Sequence, residues 1–345
     1  MFECDVVVIG GGPAGTSAAI RSALGGANVV LIERCQFPRQ RPGETLHPGI
    51  EPLLRQLGVW ERVEVSRFVR HAGLQIRHDG RTEFQGYGSD ENGPWLGLQA
   101  WRSEFDSLLL QRARELGVQI WQPCNVSRVI DRNNRVRGVD CDHGAIHAEF
   151  TVDATGGRQW LAKELTLTVQ TASPPLIAHY GYVEGDYADA RDFPIWMSNF
   201  TGWTWIARVR DRTYQWTSLD LSPASETDSR RRTQEPPDEL RNMTPIGHSS
   251  GADVTWRCAT VPAGPGYFLS GDAAAVLDPA SSHGVLRAIM SGIYAAHLIE
   301  QCHAEIQNEK DAANEYSDWL QRWFRHDVEV LQKHYTEMGI QTNFS

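Results

Sequence analysis

The apolar and polar positions at the start of the chain follow in blocks that predict a strand, a helix and a second strand. Residues 5–9 are a short apolar run, which is typical of a parallel strand buried on both faces. A glycine-rich turn follows, and residues 16–24 are mostly small or apolar and end at a glycine pair, which predicts a closely packed helix. Residues 28–32 form a second apolar run that ends at Glu33. This order predicts a β-α-β unit.

The turn between the first strand and the helix has the spacing of a dinucleotide-binding loop. Residues 10–15 read Gly-Gly-Gly-Pro-Ala-Gly, which fits G-x-G-x-x-G. Gly10 would permit the tight turn, Gly12 would let the backbone approach a diphosphate, and Gly15 would let helix and strand pack closely. The helix N-terminus would offer N–H groups to the phosphates, and Glu33 follows at about the distance of 20 residues where an acid binds an unphosphorylated ribose. The turn predicts dinucleotide binding, and by itself it does not distinguish NAD from FAD.

The periodicity of the remaining chain predicts a mainly extended middle region and a helical end. Residues 102–116 predict a helix, and the polar, proline-rich residues 222–251 predict a mobile surface loop. Residues 312–338 predict a helix that either packs on the body of the protein or offers a docking surface to another protein. Strands are predicted at residues 119–121, 126–130, 136–141, 176–184, 195–209 and 213–221, of which the last three suggest an antiparallel sheet.

Composition and charge exclude several classes of protein. The 345 residues are 41% hydrophobic and 22% charged, as in ordinary soluble globular proteins, and the net charge of −10 argues against a nucleic-acid partner. Apolar runs are far shorter than the roughly 18 residues that cross a bilayer, and no leader precedes the first strand, so a cytoplasmic protein without a membrane partner is predicted. Six cysteines occur without a C-x-x-C pair or zinc-ligand spacing, so no metal site is predicted.

Three later segments favour FAD over NAD. Residues 150–157 form a second strand-turn segment, and residues 267–274 form a strand that delivers Gly271 and Asp272 to a turn. Residues 278–285 then open a helix whose apolar positions recur at intervals of three and four. This trio, in this order, resembles the para-hydroxybenzoate-hydroxylase-like flavoprotein monooxygenases, and more closely their branch with the tryptophan halogenases and geranylgeranyl reductases. The resemblance implies an α/β fold with a Rossmann-like FAD-binding domain, an antiparallel-sheet substrate domain and a C-terminal helix.

The resemblance also implies how the chain is divided and where its electrons come from. The sequence contains no second strand-GxGxxG-helix unit, so a dedicated nicotinamide domain is not expected. Electrons would come from a separate reductase or from transiently bound NAD(P)H. The expected parts are a discontinuous FAD-binding domain of residues 1–75, 100–165 and 255–305, a substrate domain of residues 76–99 and 166–254, and a C-terminal helix of residues 306–345.

The same resemblance implies a set of FAD contacts. Asp272 would bind the ribityl hydroxyls, the backbone at Gly284 would face the pyrimidine edge of the flavin, and the backbone near Val126 would hold adenine. Residues 41–48 match the R-x-G-E-x-L-x-P stretch of this branch, and residues 102–106 match its R-x-x-F-D helix start, whose arginine contacts FAD. The complete expected set is Gly10, Gly12, Pro13, Ala14, Gly15, Glu33, Arg34, Arg41, Arg102, Val126, Gly271, Asp272, Gly284 and Val285.

Three kinds of flavin chemistry are compatible with the expected FAD-binding fold. Oxygenation of an electron-rich aromatic ring needs a general acid, and the candidates are His283, Glu44 and His47, which lie in the turns expected near the flavin. Halogenation, in the related enzymes, uses a lysine in the N-terminal half, whereas Lys163 is the first lysine of this chain. The halogenase signature W-x-W-x-I-P is also broken, because residues 203–207 read Trp-Thr-Trp-Ile-Ala. Saturation of isoprenoid double bonds would need a long apolar tunnel, which the Trp- and Tyr-rich middle segment does not predict.

Within this branch, two stretches of sequence and the short chain point to a narrower group of flavoproteins. Residues 41–49 and 271–285 look like the LodB-type flavoproteins, including the partner of glycine oxidase. This resemblance implies a monooxygenase that hydroxylates a tryptophan side chain in the precursor of a separately encoded amino-acid oxidase, a post-translational step in the biogenesis of its cysteine tryptophylquinone cofactor. The partner would then be that precursor protein. The alternative is an FAD-dependent hydroxylase or halogenase of a small aromatic molecule.

Overall fold

The computed structural model describes residues 2–187, 192–221 and 235–340 of the chain. The helices in these ranges are α1 (Pro13–Leu24), α2 (Ile50–Gln56), α3 (Trp60–Glu64), α4 (Arg102–Glu115), α5 (Trp160–Glu164), α6 (Gly284–His303) and α7 (Glu309–Glu337). The strands are β1 (Phe2–Ile9), β2 (Val29–Ile32), β3 (Thr45–Leu46), β4 (Val69–His71), β5 (Gly73–His78), β6 (Arg81–Gly86), β7 (Ser89–Asp90), β8 (Gly93–Pro94), β9 (Gly97–Gln99), β10 (Gln119–Trp121), β11 (Val126–Arg132), β12 (Arg135–Cys141), β13 (Gly144–Asp153), β14 (Val169–Thr171), β15 (Ile177–Glu184), β16 (Ile195–Asn199), β17 (Gly202–Arg210), β18 (Thr213–Asp220), β19 (Thr244–Asp253), β20 (Arg257–Ala259), β21 (Ala263–Gly264), β22 (Tyr267–Leu269) and β23 (Ala275–Val276).

The first layer is a mixed sheet with the strand order β10-β2-β1-β13-β12-β11. Strand β1 pairs in parallel with β2 and with β13, and β22 pairs in parallel with β13. Residues 6–9 and 29–32 are fully buried, which explains why both are continuous apolar runs in the sequence. The predicted β-α-β unit is confirmed, and so is the predicted hairpin, which forms β11 and β12.

Helix α1 connects β1 to β2 and crosses α6, which comes from the far end of the chain. The crossing is close because α1 consists largely of small residues and α6 presents a glycine to it. A Cβ atom at Gly292 would lie 2.2 Å from the carbonyl oxygen of Ala14 and 3.0 Å from the backbone nitrogen of Ala18. Backbone therefore contacts backbone here, and a side chain at position 292 would force the helices apart.

The second layer is a seven-stranded sheet with the order β19-β15-β18-β17-β16-β5-β6. The predicted antiparallel sheet is mixed at one pair, because β5 and β16 run parallel. The single strand predicted at residues 195–209 is a hairpin of two strands, β16 and β17. The loop predicted at residues 222–251 is wrong for residues 244–251, which belong to β19 and pair with β15. Strand β19 is a largely exposed edge strand, so it lacks an apolar pattern; residues 222–234 lie outside the described residues.

The C-terminal helix α7 packs along the body of the protein, as one of the two interpretations of its pattern predicts. Tyr335 of this helix donates a hydrogen bond to Asp278 Oδ2 (2.6 Å) and accepts one from Trp203 Nε1 (2.9 Å). The helix thereby joins the loop before α6 to the seven-stranded sheet. Trp323 remains partly exposed, and the docking interpretation stays a prediction.

The structure also bears on membrane-spanning helices and on the state of the cysteines. No helix in the described ranges combines the length and the hydropathy of a membrane span. All six cysteines lie in those ranges, and each is a free thiol.

Replacing Gly292 by alanine should destabilise the protein by about 1–3 kcal/mol, because the added methyl group would overlap the Ala14 carbonyl. Thermal unfolding followed by circular dichroism would measure the loss. His297→Ala is the matched control, since this half-exposed side chain lies on the same helix, and it should change stability by less than about 0.5 kcal/mol. Equal stability of Gly292→Ala and the wild type would contradict the close helix crossing.

Candidate active site

A cavity of about 680 Å³ lies between the two layers. The glycine turn, the loop of residues 39–45 and the N-terminal end of α6 line it on the side of the mixed sheet. Strands β15, β17 and β18 line it on the side of the seven-stranded sheet, and α7 contributes a further wall. The cavity therefore collects side chains from segments that are far apart in the sequence.

The glycine turn has the geometry that its spacing predicts. Gly10 has a φ of +108°, and a Cβ atom there would lie 2.3 Å from the carbonyl oxygen of Ala154. A Cβ atom at Gly15 would lie 1.9 Å from the Gly10 carbonyl oxygen, so α1 can start this close to β1 only without a side chain at residue 15. At Gly12, the N-cap of α1, a Cβ atom would meet only the end of Arg39, at 3.4 Å. The N-terminus of α1 has no capping side chain at this position and opens toward the cavity, as an anion site requires.

Glu33 at the end of β2 holds the glycine turn in place. Its side chain is buried and lines the cavity. Its Oε2 atom accepts a hydrogen bond from the Gly11 N–H (2.7 Å), and its Oε1 atom accepts one from the Cys35 N–H (2.9 Å). Each carboxylate oxygen has a second lone pair, so Glu33 can still accept hydrogen bonds from a ribose.

Arg39 is a candidate binding residue that the sequence analysis missed. Its side chain is nearly buried and lines the cavity beside Gly12. Its Nε and Nη1 atoms have no hydrogen-bond partner among the described residues, although the carboxylates of Glu33 and Asp106 lie 3.9 and 3.4 Å away. Burial lowers the pKa of Arg39, so an anion beside it would offset a cost of desolvation. A diphosphate at the N-terminus of α1 would be such an anion.

The residues expected to contact FAD converge on this cavity. Gly15 is the only one of them that does not line the cavity; it packs against Gly10 instead. The expected residues that line the cavity are Gly10, Gly12, Pro13, Ala14, Glu33, Arg34, Arg41, Arg102, Val126, Gly271, Asp272, Gly284 and Val285.

Arg102 is held by the protein itself. Its Nε and Nη2 atoms donate hydrogen bonds to the two oxygens of Asp106 (2.8 and 3.1 Å), and its Nη1 atom donates to the Pro42 carbonyl (2.7 Å). Asp106 follows Arg102 by one helical turn, so the pair in the R-x-x-F-D motif forms a buried ion pair. This pair fixes the loop that carries Glu44.

A second part of the cavity wall combines an acid with a helix N-terminus. The side chain of Asp272 is exposed to the cavity, and Arg102, Arg257 and Arg287 are the basic groups around it. Helix α6 starts at Gly284, where a Cβ atom would meet nothing within 4 Å. The partial positive charge at this open helix end would favour negative charge on a bound group.

Glu44 is a buried carboxyl on the cavity wall. Its Oε1 atom accepts a hydrogen bond from the Tyr182 hydroxyl (2.5 Å), and its Oε2 atom accepts one from the Gly43 N–H (2.9 Å). Burial raises the pKa of Glu44 to about 7, although Tyr182 and Arg102 favour its charged form. This carboxyl can therefore hold or release a proton near neutral pH.

His47 and His283 lie together but outside the cavity lining. Their ring centroids are 4.9 Å apart, and the Nδ1 atom of His47 accepts a hydrogen bond from the Gly49 N–H (3.0 Å). Burial lowers the pKa of both rings, to about 4 for His283, where Arg287 and His47 add to the effect. Both rings are therefore neutral near pH 7. Of the three predicted candidates for the general acid, Glu44 is the one on the cavity wall, and the two histidines stay predictions.

A continuous chain of hydrogen bonds fixes one aromatic wall of the cavity. The Nε1 atom of Trp205 donates to Thr45 Oγ1 (3.1 Å), which donates to Gln99 Oε1 (2.9 Å). The Nε2 atom of Gln99 donates to His71 Nε2 (3.1 Å), and His71 Nδ1 donates to the Gly73 carbonyl (2.9 Å). The direction of the whole chain is set because a carbonyl only accepts. Burial lowers the pKa of His71 to about 4, so its ring stays neutral and the chain holds Trp205 in one orientation.

These features fit a flavin dinucleotide. The open N-terminus of α1 and the unpartnered nitrogens of Arg39 suit a diphosphate, and Glu33 suits the adenosine ribose. Asp272 and the open N-terminus of α6 belong to another part of the cavity wall, where the ribityl and ring parts of the flavin are expected. The lining contains no lysine, since all three lysines of the chain are described and lie elsewhere.

Comparison with known proteins agrees with this geometry. A family described as an FAD binding domain matches residues 3–305. The chain is 28% identical over 346 residues to the tryptophan 2-halogenase of Chondromyces crocatus, covering 93% of this chain and 65% of that protein. It is 29% identical over 356 residues to the 1H-pyrrole-2-carbonyl (peptidyl-carrier protein) brominase of Pseudoalteromonas luteoviolacea, covering 91% of this chain and 81% of that protein.

A solved structure supports the same fold. The myxobacterial chondrochloren halogenase, described as a variant of FAD-dependent halogenases, matches with a TM-score of 0.88 and 25% identity, over 100% of this chain and 85% of that chain. The chain spans about two thirds of the length of several curated relatives, at 67%, 65% and 65% of the first three. The expected α/β fold class and the expected cofactor, FAD, are confirmed.

Arg39→Leu should weaken FAD binding about 10- to 100-fold, because a diphosphate would lose charge-assisted hydrogen bonds. Titration of the FAD-free protein with FAD, followed by flavin fluorescence, would measure the change. Arg132→Leu is the control, since Arg132 is exposed and does not line the cavity, and it should bind FAD as the wild type does. Unchanged affinity in Arg39→Leu would show that Arg39 does not contact the cofactor.

Proposed function

This chain belongs to the FAD-binding domain family and is an FAD-dependent oxidoreductase, and on that premise we propose that it hydroxylates an electron-rich aromatic ring held between its two layers. The observation that carries the proposal is Glu44, a carboxyl on the cavity wall that is hydrogen-bonded to Tyr182 and can hold a proton near pH 7. Hydroxylation of this kind needs such a proton source.

The roles of the chain's own residues follow from their places in the cavity. FAD, when bound, would supply the activation of dioxygen, which no side chain can provide. The N-terminus of α1 with Arg39 and Glu33 would hold the adenosine diphosphate part. Asp272 and the N-terminus of α6 would hold the ribityl and ring part.

Glu44 would deliver the proton that the oxygen transfer needs. Its carboxyl is about half protonated near neutral pH, which is the condition under which a general acid works best. Burial and the nearby Glu44 raise the pKa of Tyr182, so the phenol keeps its own proton. The Tyr182 hydroxyl can therefore donate to the ionised carboxylate and accept from the protonated carboxyl.

Halogenation of a small aromatic molecule is the second candidate, and the relatives favour it. Both curated relatives named above are halogenating enzymes by name, and so is the solved structure. The cavity of this chain lacks the lysine that the resemblance implies for halogenation, since Lys163, Lys310 and Lys333 all lie outside its lining. We therefore place hydroxylation first.

Two kinds of substrate are compatible with this proposal. The names of the relatives favour a small or carrier-bound aromatic molecule. The alternative is a tryptophan side chain of a precursor protein. The LodB-type resemblance of residues 41–49 and 271–285 supports the second form, in which the partner is the precursor of a quinone-cofactor amino-acid oxidase. Trp323 also supports it, because this side chain lines the cavity and is 42% exposed, so a protein could contact it from outside. In both forms, a separate reductase or NAD(P)H would supply the electrons.

Turnover under isotope-labelled dioxygen should add one labelled oxygen atom to an aromatic substrate. Indole, tryptophan and a tryptophan-containing peptide would be offered separately with reduced FAD, in buffer that contains chloride and bromide, and analysed by mass spectrometry. Asp272→Ala should not retain FAD, because the ribityl contact is lost, and it controls for reactions of free flavin. A halogenated product without labelled oxygen would establish the second candidate instead, and labelling of the peptide alone would favour the precursor protein.

Glu44→Gln should slow the hydroxylation by about 10²- to 10⁴-fold and remove its pH dependence near pH 7. Glu44 acts in its protonated form, and its pKa is raised to about 7, so the wild-type rate should be highest below that pH and fall as the pH rises through it. Single-turnover rates measured across the neutral range would show this. Glu51→Gln, at an exposed position of α2, is the control. A wild-type rate that increases through pH 7 would refute the acid role of Glu44.

A further inference from the structure

We propose that the side-chain carbonyl oxygen of Gln215 accepts a hydrogen bond from the ring N–H or O–H of the substrate. The substrate would then be an aromatic hydrogen-bond donor, such as an indole, a pyrrole or a phenol. The inference rests on the proposed function, because it places that substrate in the same cavity. Gln215 belongs to β18, is 4% exposed and lines the cavity.

The orientation of the Gln215 amide follows from its own hydrogen bonds. Its Nε2 atom donates to the Trp216 carbonyl (2.9 Å) and to Thr217 Oγ1 (2.5 Å). A backbone carbonyl can only accept, so the atom that faces it is the amide nitrogen and not the oxygen. Both N–H donors are thus used within β18, whereas the carbonyl oxygen has no hydrogen-bond partner among the described residues. An acceptor without a partner on a cavity wall can bind a donor that enters the cavity.

Aromatic residues lie near Gln215 in the sheet, and two of them, Tyr180 and Trp205, also line the cavity. In the sheet register, Gln215 pairs with Tyr182 of β15. Thr217, on the same face, pairs with Tyr180 on one side and with Trp205 on the other. Directly paired residues have Cβ atoms about 5 Å apart, so these side chains form one contiguous patch. A flat ring can pack on this patch while its donor reaches Gln215.

The strand register also places Gln215 beside Tyr182, which is hydrogen-bonded to Glu44, the group that would hold the proton. Tyr182, the cross-strand neighbour of Gln215, donates its hydroxyl hydrogen bond to Glu44. Trp205 is held by Thr45, the residue after Glu44. On the other side, the residue paired with Gln215 is the small, buried Ala207. A ring bound to Gln215 would therefore lie close to Glu44, where the reaction is proposed.

The chemistry of an electron-rich ring favours an acceptor in this place. When an electrophile attacks such a ring, positive charge develops on it, and its N–H or O–H becomes a stronger donor. A fixed acceptor therefore stabilises the transition state more than the ground state. A neutral amide suits an uncharged donor, whereas a carboxylate would favour a cation.

Two matched pairs of probes test the proposal on the FAD-loaded protein. Indole differs from 1-methylindole in its ring N–H, and phenol differs from anisole in its O–H; the affinity of each would be measured from the change in flavin absorbance. The donor probe of at least one pair should bind about five- to tenfold more tightly than its methylated partner, because one hydrogen bond is lost on methylation. The pair with the larger ratio identifies an N–H or an O–H substrate. Equal affinities within both pairs would overturn the proposal without any variant.

Gln215→Met removes the acceptor and nearly preserves the side-chain volume. It should reduce the affinity ratio to about one by weakening the donor probe alone, about five- to tenfold. Leu219→Met is the matched control, since it lies on the same strand and the same face, and it should keep the ratio. FAD retention by both variants would show that the fold is intact. A ratio that persists in Gln215→Met would overturn the proposal.

The outcome separates this proposal from the proposed function. Probe binding needs no turnover, so a ratio that depends on Gln215 without any oxygenated product would support the subsite and refute hydroxylation. Oxygenation of a probe with a ratio independent of Gln215 would support hydroxylation and refute the subsite.

Discussion

The hydrogen bond between Tyr182 and Glu44 joins the two layers, and the chemistry of the cavity depends on it. Tyr182 belongs to the seven-stranded sheet, whereas Glu44 lies in a loop that Arg102 and Asp106 hold against the other layer. If the layers separated, the carboxyl would either return to water with an ordinary pKa or stay buried without its strongest donor, which is costly. The raised pKa of Glu44 is therefore a property of the assembled layers.

Two surfaces of the cavity differ in charge, and this difference indicates which ligand suits each of them. Arg39, together with the N-terminus of α1, surrounds the place of an anionic diphosphate. The sheet face above Glu44 presents neutral aromatic and amide groups, among them Trp205 and Gln215. These separate surfaces of one cavity suit a charged cofactor and the neutral aromatic substrate that we propose.

The relatives named as halogenases match this chain over most of its length, yet its cavity wall lacks the lysine that the resemblance implies for halogenation. A fold positions a flavin in the same way for several reactions, and the few side chains around the reacting ring select among them. Here the lining contains Glu44 and Gln215 and no lysine, which supports the proton delivery and the donor recognition that we propose.

The β-α-β unit and its glycine turn could be predicted from local spacing alone, because the positive φ of Gly10 and the close approach of Gly15 to the Gly10 carbonyl belong to the turn itself. It did not reveal β19, since an exposed edge strand has no apolar alternation. The position of Glu44 on the cavity wall became visible only in the folded chain. The same is true of two features within the described residues, the Arg39 Nε and Nη1 atoms without a hydrogen-bond partner and the unpaired Gln215 side-chain oxygen. The burial and the hydrogen bonds of these side chains depend on neighbours from distant parts of the chain, so the local sequence does not predict them.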